Sequence, residues 1–260
     1  MIQIKNLRAR FGIKYIEDLS IHPNQCIAVV GPNGAGKSTF LRLLFGRLSP
    51  VKGAVTIDGI QTDQMTVRQR LNHMSYLPSN ETLTPGLTVF DSVALGLHAT
   101  QNVFAVLSDT QKANIKHALQ RVSLADKWNS PVRALSSGEY QRVRLARLFI
   151  QAAPIMILDE PFAFLDPHQA LNLMETFGEL KTEGKTIIMS LHQLNHAARS
   201  CDRIIVIDEG HVVLSEDART TLNSDVLRTV FGVDFVSITH PHSQKTHLLL
   251  PNEMESSRHD

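Results

Sequence analysis

Gln25-Cys26-Ile27-Ala28-Val29-Val30 runs directly into Gly31-Pro32-Asn33-Gly34-Ala35-Gly36-Lys37-Ser38-Thr39. The first six residues are a compact apolar run, the pattern of a strand buried on both faces. The next eight, Gly31–Ser38, match G-x-x-x-x-G-K-[ST], and Thr39 follows. The stretch TFLRLLFGRL (Thr39–Leu48) then has helical apolar spacing and stops near Pro50. Strand, glycine-rich turn and helix are the context this motif requires. The glycines let the backbone turn tightly, so that its N–H groups face a phosphate, and the helix adds its positive N-terminal dipole. In this setting Gly31, Pro32, Asn33, Gly34, Ala35, Gly36, Lys37, Ser38 and Thr39 cradle a nucleotide's phosphates. Lys37 reaches the β- and γ-phosphates, and the Ser38 hydroxyl ligates Mg²⁺. A glycine-rich turn without ligand is the plainer alternative.

Outward from this loop the chain alternates. The stretch VKGAVTIDG (51–59) reads as an edge hairpin with Gly53 and Gly59 as turn residues. From about Thr88 to Ile150 the strand signal fades, and VFDSVALGL, DTQKANIKHALQRVSL and GEYQRVRLARLFI carry apolar residues at helical spacing. From Ile155 strands return between helices: IMIL, HQALNLMETFGELK, TIIMSL, HQLNHAARS and RIIVID. That order implies crossover connections and a mainly parallel sheet with a helical insertion. A short helix over 224–231, two short strands and a polar tail, NEMESSRHD, complete the chain. The expected division is a cassette over 1–235, with a core of about 1–79 and 151–215, a helical subdomain of about 80–150, and an extension over 236–260.

The run Ile155–Leu158 ends in Asp159 and Glu160. Carboxylates at the C-terminal end of a parallel strand sit where such sheets bind ligands. Asp159 suits a role in holding Mg²⁺. Glu160 is placed to polarise a water for in-line attack on a γ-phosphate. An acidic pair that merely caps the next turn is the alternative.

Leu135-Ser136-Ser137-Gly138-Glu139 opens the helix YQRVRLARLFI. The segment resembles the LSGGQ signature of the ATP-binding cassette (ABC) ATPases, and its place shortly before the acidic strand is theirs. Asp166 in AFLD resembles the family's D-loop, and His192 after TIIMSL resembles its switch histidine. The five elements stand in the family's order and span nearly the whole chain. The resemblance implies a P-loop NTPase of the α/β class, a RecA-like mainly parallel sheet with an N-terminal antiparallel β region and a helical subdomain insertion. It implies ATP and Mg²⁺ as ligands and two copies of the chain closing on two nucleotides. Ser136, Gly138 and Glu139 of one copy then face the γ-phosphate held by the other, with Asp166 at the seam. His192 hydrogen-bonds the γ-phosphate and helps fix the attacking water. Phe11, or as a fallback Tyr15, stacks on adenine.

Two positions depart from the family's pattern. The glutamine expected after HMSYLP is replaced by Ser79, followed by Asn80. Serine is about two carbons shorter, so Asn80, or a water held by Ser79, is expected to fill the gap. Ser137 stands where the family has glycine, and its Cβ restricts the approach of backbone to phosphate.

The 260 residues are 43% hydrophobic and 20% charged, enough apolar material for a core and far from a disordered composition. Lys plus Arg (26) nearly balance Asp plus Glu (25), so no bulk charge draws the chain to nucleic acid, and no nucleic-acid partner is expected. No apolar run approaches the ~18–20 residues of a membrane span, and MIQIKNLRAR lacks a secretory stretch. Cys26 and Cys201 are far apart in sequence, which argues against a disulfide framework and fits a reducing cytosol. His240, His242 and His247 form a weak metal pattern and read as solvated loop histidines. Arg142, Arg144 and Arg147 read as ion-pairing or subunit-facing.

A cassette without a membrane span needs polytopic permease subunits on other chains. The tail LRTVFGVDFVSITHPHSQKTHLLLP resembles that of the iron-chelate, haem and vitamin B12 importer ATPases. The resemblance therefore implies the ATP-hydrolysing subunit of an importer, working with a substrate-binding protein at the cytoplasmic face of the inner membrane. A soluble ABC ATPase acting on another macromolecule, a non-hydrolysing regulator and an importer for a different solute are the alternatives.

Overall fold

The computed structural model describes residues 1–98, 107–222 and 225–233, together with the strands Val236–Thr239 and Thr246–Leu249. The chain begins with β1 (Ile2–Arg8), β2 (Ile16–Ile21) and β3 (Cys26–Val30), then α1 (Lys37–Leu44), β4 (Lys52–Ile57), β5 (Ile60–Gln61), α2 (Val67–His73) and β6 (Met74–Leu77). Three helices follow: α3 (Val89–His98), α4 (Asp109–Arg121) and α5 (Ser137–Ile150). The alternation resumes with β7 (Ile155–Asp159), α6 (Pro167–Thr182), β8 (Thr186–Ser190), α7 (Leu194–Ser200), β9 (Arg203–Asp208) and β10 (His211–Asp217). It ends with α8 (Ala218–Leu222), α9 (Asp225–Phe231), β11 (Val236–Thr239) and β12 (Thr246–Leu249).

Two large sheets organise the chain, and β11 and β12 pair in a separate antiparallel ribbon. The first is antiparallel in the order β2-β1-β4-β5; the hairpin expected over 51–59 is β4 and β5, turning at Asp58-Gly59, whereas Gly53 lies inside β4 and, of the two strands, only β5 is at the edge. The second has the order β10-β9-β3-β8-β7-β6 and is parallel except for β10. β3 lies inside it, between β8 and β9, which explains why its five residues are all buried. Its alternate side chains serve two cores. Cys26, Ala28 and Val30 join the helical residues Val93, Leu119 and Phe177, whereas Ile27 and Val29 join Phe40 of α1 and Ile4 of the antiparallel sheet. The fold is thus α/β, with an antiparallel N-terminal sheet, a mainly parallel sheet, and helices between β6 and β7.

Register brings the chemistry together. Asp159 at the end of β7 pairs with Ser190 at the end of β8, and Val29, just before the glycine turn, also pairs with Ser190. The C-terminal ends of three neighbouring parallel strands therefore open on one crevice, the ligand position of such sheets.

The two cysteines differ from the sequence expectation in one respect. They are free thiols, yet Cys26 Sγ lies 3.6 Å from Cys201 Sγ, because β9 begins next to β3. Separation along the chain says little about neighbours in a parallel sheet. Among the described residues no helix is long and apolar enough to cross a membrane. His240, His242 and the tail 252–260 lie outside the described residues, and of His247 only the backbone in β12 is described.

Candidate functional site

The phosphate loop leaves β3 and enters α1 through Gly36, which caps the helix in a left-handed conformation (φ 110°) without any side-chain cap. The first N–H groups of α1 are therefore not claimed by a capping side chain, as an anion site requires. Glycine is needed at this position, because a Cβ on Gly36 would run into the carbonyl oxygen of Gly12. The segment around Gly12 is folded onto the phosphate loop, also meeting the side chain of Thr39. Phe11 at its tip is 73% exposed, with the Arg10 guanidinium 5.4 Å from its ring centre. Tyr15 is engaged elsewhere: its hydroxyl donates to Asn6 Oδ1 (2.8 Å), and Arg8 lies over its ring.

Lys37 is buried and donates to the carbonyls of Gly31 (2.7 Å) and Pro32 (2.9 Å). Burial pushes its ammonium below the usual lysine range, partly offset by the carboxylates of Glu160 and Asp159. A cation held this way, close to desolvated and near two acids, is suited to meeting the charge of a polyphosphate.

Asp159 is fully buried. Its Oδ1 accepts from Ser190 Oγ (2.7 Å) and Ser38 Oγ (3.0 Å), whereas its buried Oδ2 has no hydrogen-bond partner. An orphaned carboxylate oxygen beside a serine hydroxyl fits a hard divalent cation, which takes oxygen ligands, and Ser38 and Asp159 are the residues that would hold Mg²⁺.

Glu160 adopts φ 56°, a left-handed conformation that costs a non-glycine residue on the order of 1–3 kcal/mol. Its backbone is held on both sides. The N–H donates to Ser190 Oγ (2.9 Å), and the carbonyl accepts from the Gln141 amide (3.4 Å). The side chain pairs with His192, Nε2 to Oε1 at 2.8 Å. The strand end, His192 and the phosphate-loop residues are thus one group: Lys37, Ser38, Asp159, Glu160 and His192.

The signature residues form a second group. Ser136 caps α5 in a capping box: its Oγ accepts from the Glu139 N–H (3.2 Å), and Glu139 Oε2 accepts from the Ser136 N–H (2.9 Å). Glu139 is also ion-paired with Lys127, and this contact, then the Ser136 N–H, pulls its carboxyl down to about 2. Its charge is thus engaged within the chain. Ser137 is exposed at the first helical position, so its Cβ meets no obstacle. Gly138 differs, because a Cβ there would stand 2.6 Å from the Phe164 carbonyl oxygen. Asp166 caps α6 by accepting from the Gln169 N–H (2.8 Å), with Pro167 at the first helical position. Ser136, Gly138, Glu139, Phe164 and Asp166 line one open groove.

Three functional contacts had weak signals in the sequence. Ser190, the polar end of an apolar strand, ties Asp159 to the Glu160 N–H. Gln141 holds the Glu160 carbonyl from α5. Glu81 is the anchored residue of the segment after β6, ion-paired with Arg144 and Arg147, whereas Asn80 is exposed and Ser79 half-buried. The ion pairs bear out the reading of these two arginines. Arg142 differs, donating to the carbonyls of Val122 (2.8 Å) and Ser123 (3.2 Å).

Comparison with known proteins follows the same line. The ABC transporter family profile matches residues 17–163. The iron(3+)-hydroxamate import ATP-binding protein FhuC of Bacillus subtilis (strain 168) is 34% identical over 95% of this chain and 96% of its own length. The hemin import ATP-binding protein HmuV of Pseudomonas fluorescens (strain Pf0-1) is 34% identical over 93% of this chain and 96% of its own. Among solved structures, a dimeric bacterial ABC transporter cassette superposes with a TM-score of 0.78 at 28% identity, covering 84% of this chain and 99% of that one.

Proposed function

This chain belongs to the ABC transporter family, and from that membership we propose that it powers an importer of a metal chelate of the ferric siderophore, haem or cobalamin type. It is an ATPase subunit, and like other import ATP-binding subunits it dimerises and works with membrane permeases on separate chains. The solute class rests on the two relatives, iron-hydroxamate and hemin import proteins, aligned over nearly the full length. A substrate-binding protein delivering the chelate, and a location at the cytoplasmic face of the inner membrane, belong to the same proposal. So does the division into a core of about 1–79 and 151–215 and a helical subdomain of about 80–150.

The chemistry proposed for the site is in-line hydrolysis. The phosphate loop from Gly31 to Thr39 binds the triphosphate through backbone N–H groups, and Lys37 leaves its loop carbonyls to neutralise the β- and γ-oxygens. Mg²⁺, when bound by Ser38 and Asp159, neutralises phosphate charge. Glu160 accepts a proton from the attacking water, and His192 holds that carboxylate and the γ-phosphate in register. Phe11 stacks on the adenine. Ser136 and Gly138 of the second copy complete the γ-phosphate site, with Asp166 at the seam. The observation that carries this assignment is the Glu160–His192 pair at 2.8 Å, beside a buried Asp159 already joined to Ser38.

Uptake of labelled ferric siderophore, haem and cobalamin by a strain lacking this chain tests the solute. Loss of one of the three, restored by the wild-type chain and not by Glu160→Gln, is expected. Retention of all three would reject the metal-chelate reading, and loss of another solute would redirect it.

A further inference from the structure

We propose that Glu81 is a positioning residue for ATP hydrolysis, fixing Arg144 of α5 against Gln141, which in turn holds the backbone of Glu160. The inference rests on the reading of Glu160 as the residue that activates water.

The contacts run in one line. Glu81 Oε2 accepts from Arg144 Nε at 3.0 Å, and Oε1 accepts from Arg147 Nη2 at 2.5 Å. Arg144 turns its remaining nitrogens to the Pro78 carbonyl and to Gln141 Oε1, the latter at 2.6 Å. The Gln141 amide nitrogen then reaches the carbonyls of Pro161 (3.1 Å) and Glu160 (3.4 Å).

Each step needs the one before it. Arg144 is only 4% exposed, and a guanidinium this buried requires a carboxylate partner. Glu81 meets that need for Arg144 and Arg147 together, so without it two cations confront each other on one helix face. Burial alone would push the Glu81 carboxyl up; Arg147 and then Arg144 outweigh it and hold the group below its ordinary range, charged. Arg144 carries donors only, so it fixes the Gln141 amide with oxygen toward itself and nitrogen toward Glu160. Gln141 and Ser190 then hold the two sides of a residue in left-handed conformation, the Gln141 amide adding to the Ala163 N–H, which also donates to the Glu160 carbonyl (3.2 Å), and linking that turn to α5.

The line starts in the segment where Ser79 replaces the family's glutamine. Ser79 is too short to reach across, and Asn80 points to solvent. Glu81 gives this segment a charged link to the catalytic carboxylate through α5 instead.

Steady-state ATPase assays on the purified full-length chain test the proposal, with variants Glu81→Ala, Glu81→Gln, Arg144→Leu and the double variant Glu81→Ala/Arg144→Leu. Glu81→Ala is expected to lower kcat by roughly 10-fold while KM for ATP stays within about 2-fold, because it displaces a reacting group without touching nucleotide. Glu81→Gln, which keeps an acceptor but not the charge, should lose less. The double variant should be no slower than the slower single variant, because both act on one line. Melting curves identify any variant that fails to fold. Should Glu81→Ala be one, a reduced kcat at unchanged KM in Glu81→Gln supports the proposal and a wild-type kcat overturns it. Wild-type kcat in folded Glu81→Ala, a rise confined to KM, or losses that multiply in the double variant would each overturn it. A wild-type chain that hydrolyses no ATP would instead overturn the reading beneath it.

Discussion

His192 Nε2 stands 2.8 Å from Glu160 Oε1, while the Glu160 backbone N–H is bound to Ser190 Oγ, itself bound to Asp159. Glu160, proposed to activate water, Asp159, suited to the cation, and His192 therefore share one hydrogen-bonded unit. Glu160→Gln keeps the side-chain length and an acceptor for His192 but removes the base. It should leave ATP affinity close to wild type and lower kcat by at least ~10²-fold, trapping a nucleotide-bound dimer. Phosphate release measured against nucleotide binding checks it; an unimpaired variant would count against the mechanism.

The signature offers a paired test. Gly138→Ala places a methyl 2.6 Å from the Phe164 carbonyl oxygen, which is backbone and lies two residues before Asp166. One of the two segments must move, so kcat should fall and the protein should melt earlier by a few degrees, roughly what ~1 kcal/mol does in a domain of this size. Ser137 is exposed, so Ser137→Gly should not lower ATPase activity. A large loss there would mean that the Ser137 hydroxyl touches nucleotide.

What could be read in advance was local along the chain. The phosphate loop, the strand ending in Asp159-Glu160 and the segment Leu135–Glu139 each lie within a few consecutive residues, so the first two show in their spacing and the third in its resemblance to the family signature. Helix α2 was not legible, because none of its residues is buried and it shows no apolar stripe; the Thr66–Gln69 capping box starts it. The Glu81–Arg144 pair joins residues 63 apart, and Cys26 and Cys201 meet across 175. Such partners are chosen by helix docking and strand order, which no local window contains. Ser190 had a signal, a polar residue ending the buried run Thr186–Met189, but its two partners became visible only through the register of β7 and β8.

Glu139 makes a prediction about pH. Its carboxyl is drawn from the ordinary 4.5 to about 2, chiefly by Lys127 and then by the Ser136 N–H. A folded-state value below the unfolded one stabilises the fold above the unfolded value, and the contribution disappears as pH falls through the folded value. Glu139→Gln retains an oxygen for the Ser136 N–H but loses the charge facing Lys127. The wild type should melt about 1–3 °C above this variant at pH 5–7, as befits a partly exposed pair. The gap should close as pH falls from about 4.5 to about 2. A gap unchanged over that interval would assign the effect to packing.

Phe11 and Tyr15 are separable by nucleotide affinity. Phe11 is exposed on the segment that covers Gly36 and Thr39, whereas the Tyr15 hydroxyl is bound to Asn6 and its ring is covered by Arg8. Phe11→Ala should weaken ATP binding roughly tenfold, within the range of base–aromatic stacking, with little change in melting temperature. Tyr15→Ala should do the reverse, costing stability and sparing affinity. Affinities for ATP and for inorganic triphosphate compared in both variants locate the effect on the base, since only the former carries adenine.

The two carboxylate oxygens of Asp159 have different fates. Oδ1 is satisfied by Ser38 and Ser190, and Oδ2 is buried without a partner. An unpaired carboxylate oxygen is a cost to the fold that a bound cation would remove. Asp159→Asn preserves Oδ1 for both serines and replaces the orphaned oxygen with a neutral amide. In EDTA the variant should therefore melt no lower than the wild type, and about 2–4 °C higher if the change is worth ~1 kcal/mol. Adding Mg²⁺ to the ATP-bound protein should raise the melting temperature of the wild type further and that of the variant much less, because linkage acts only where the ligand binds. ATPase activity should be lost in the variant at every Mg²⁺ concentration. If Mg²⁺ and ATP stabilised both proteins equally, Asp159 would be a structural acid and the cation would be held elsewhere.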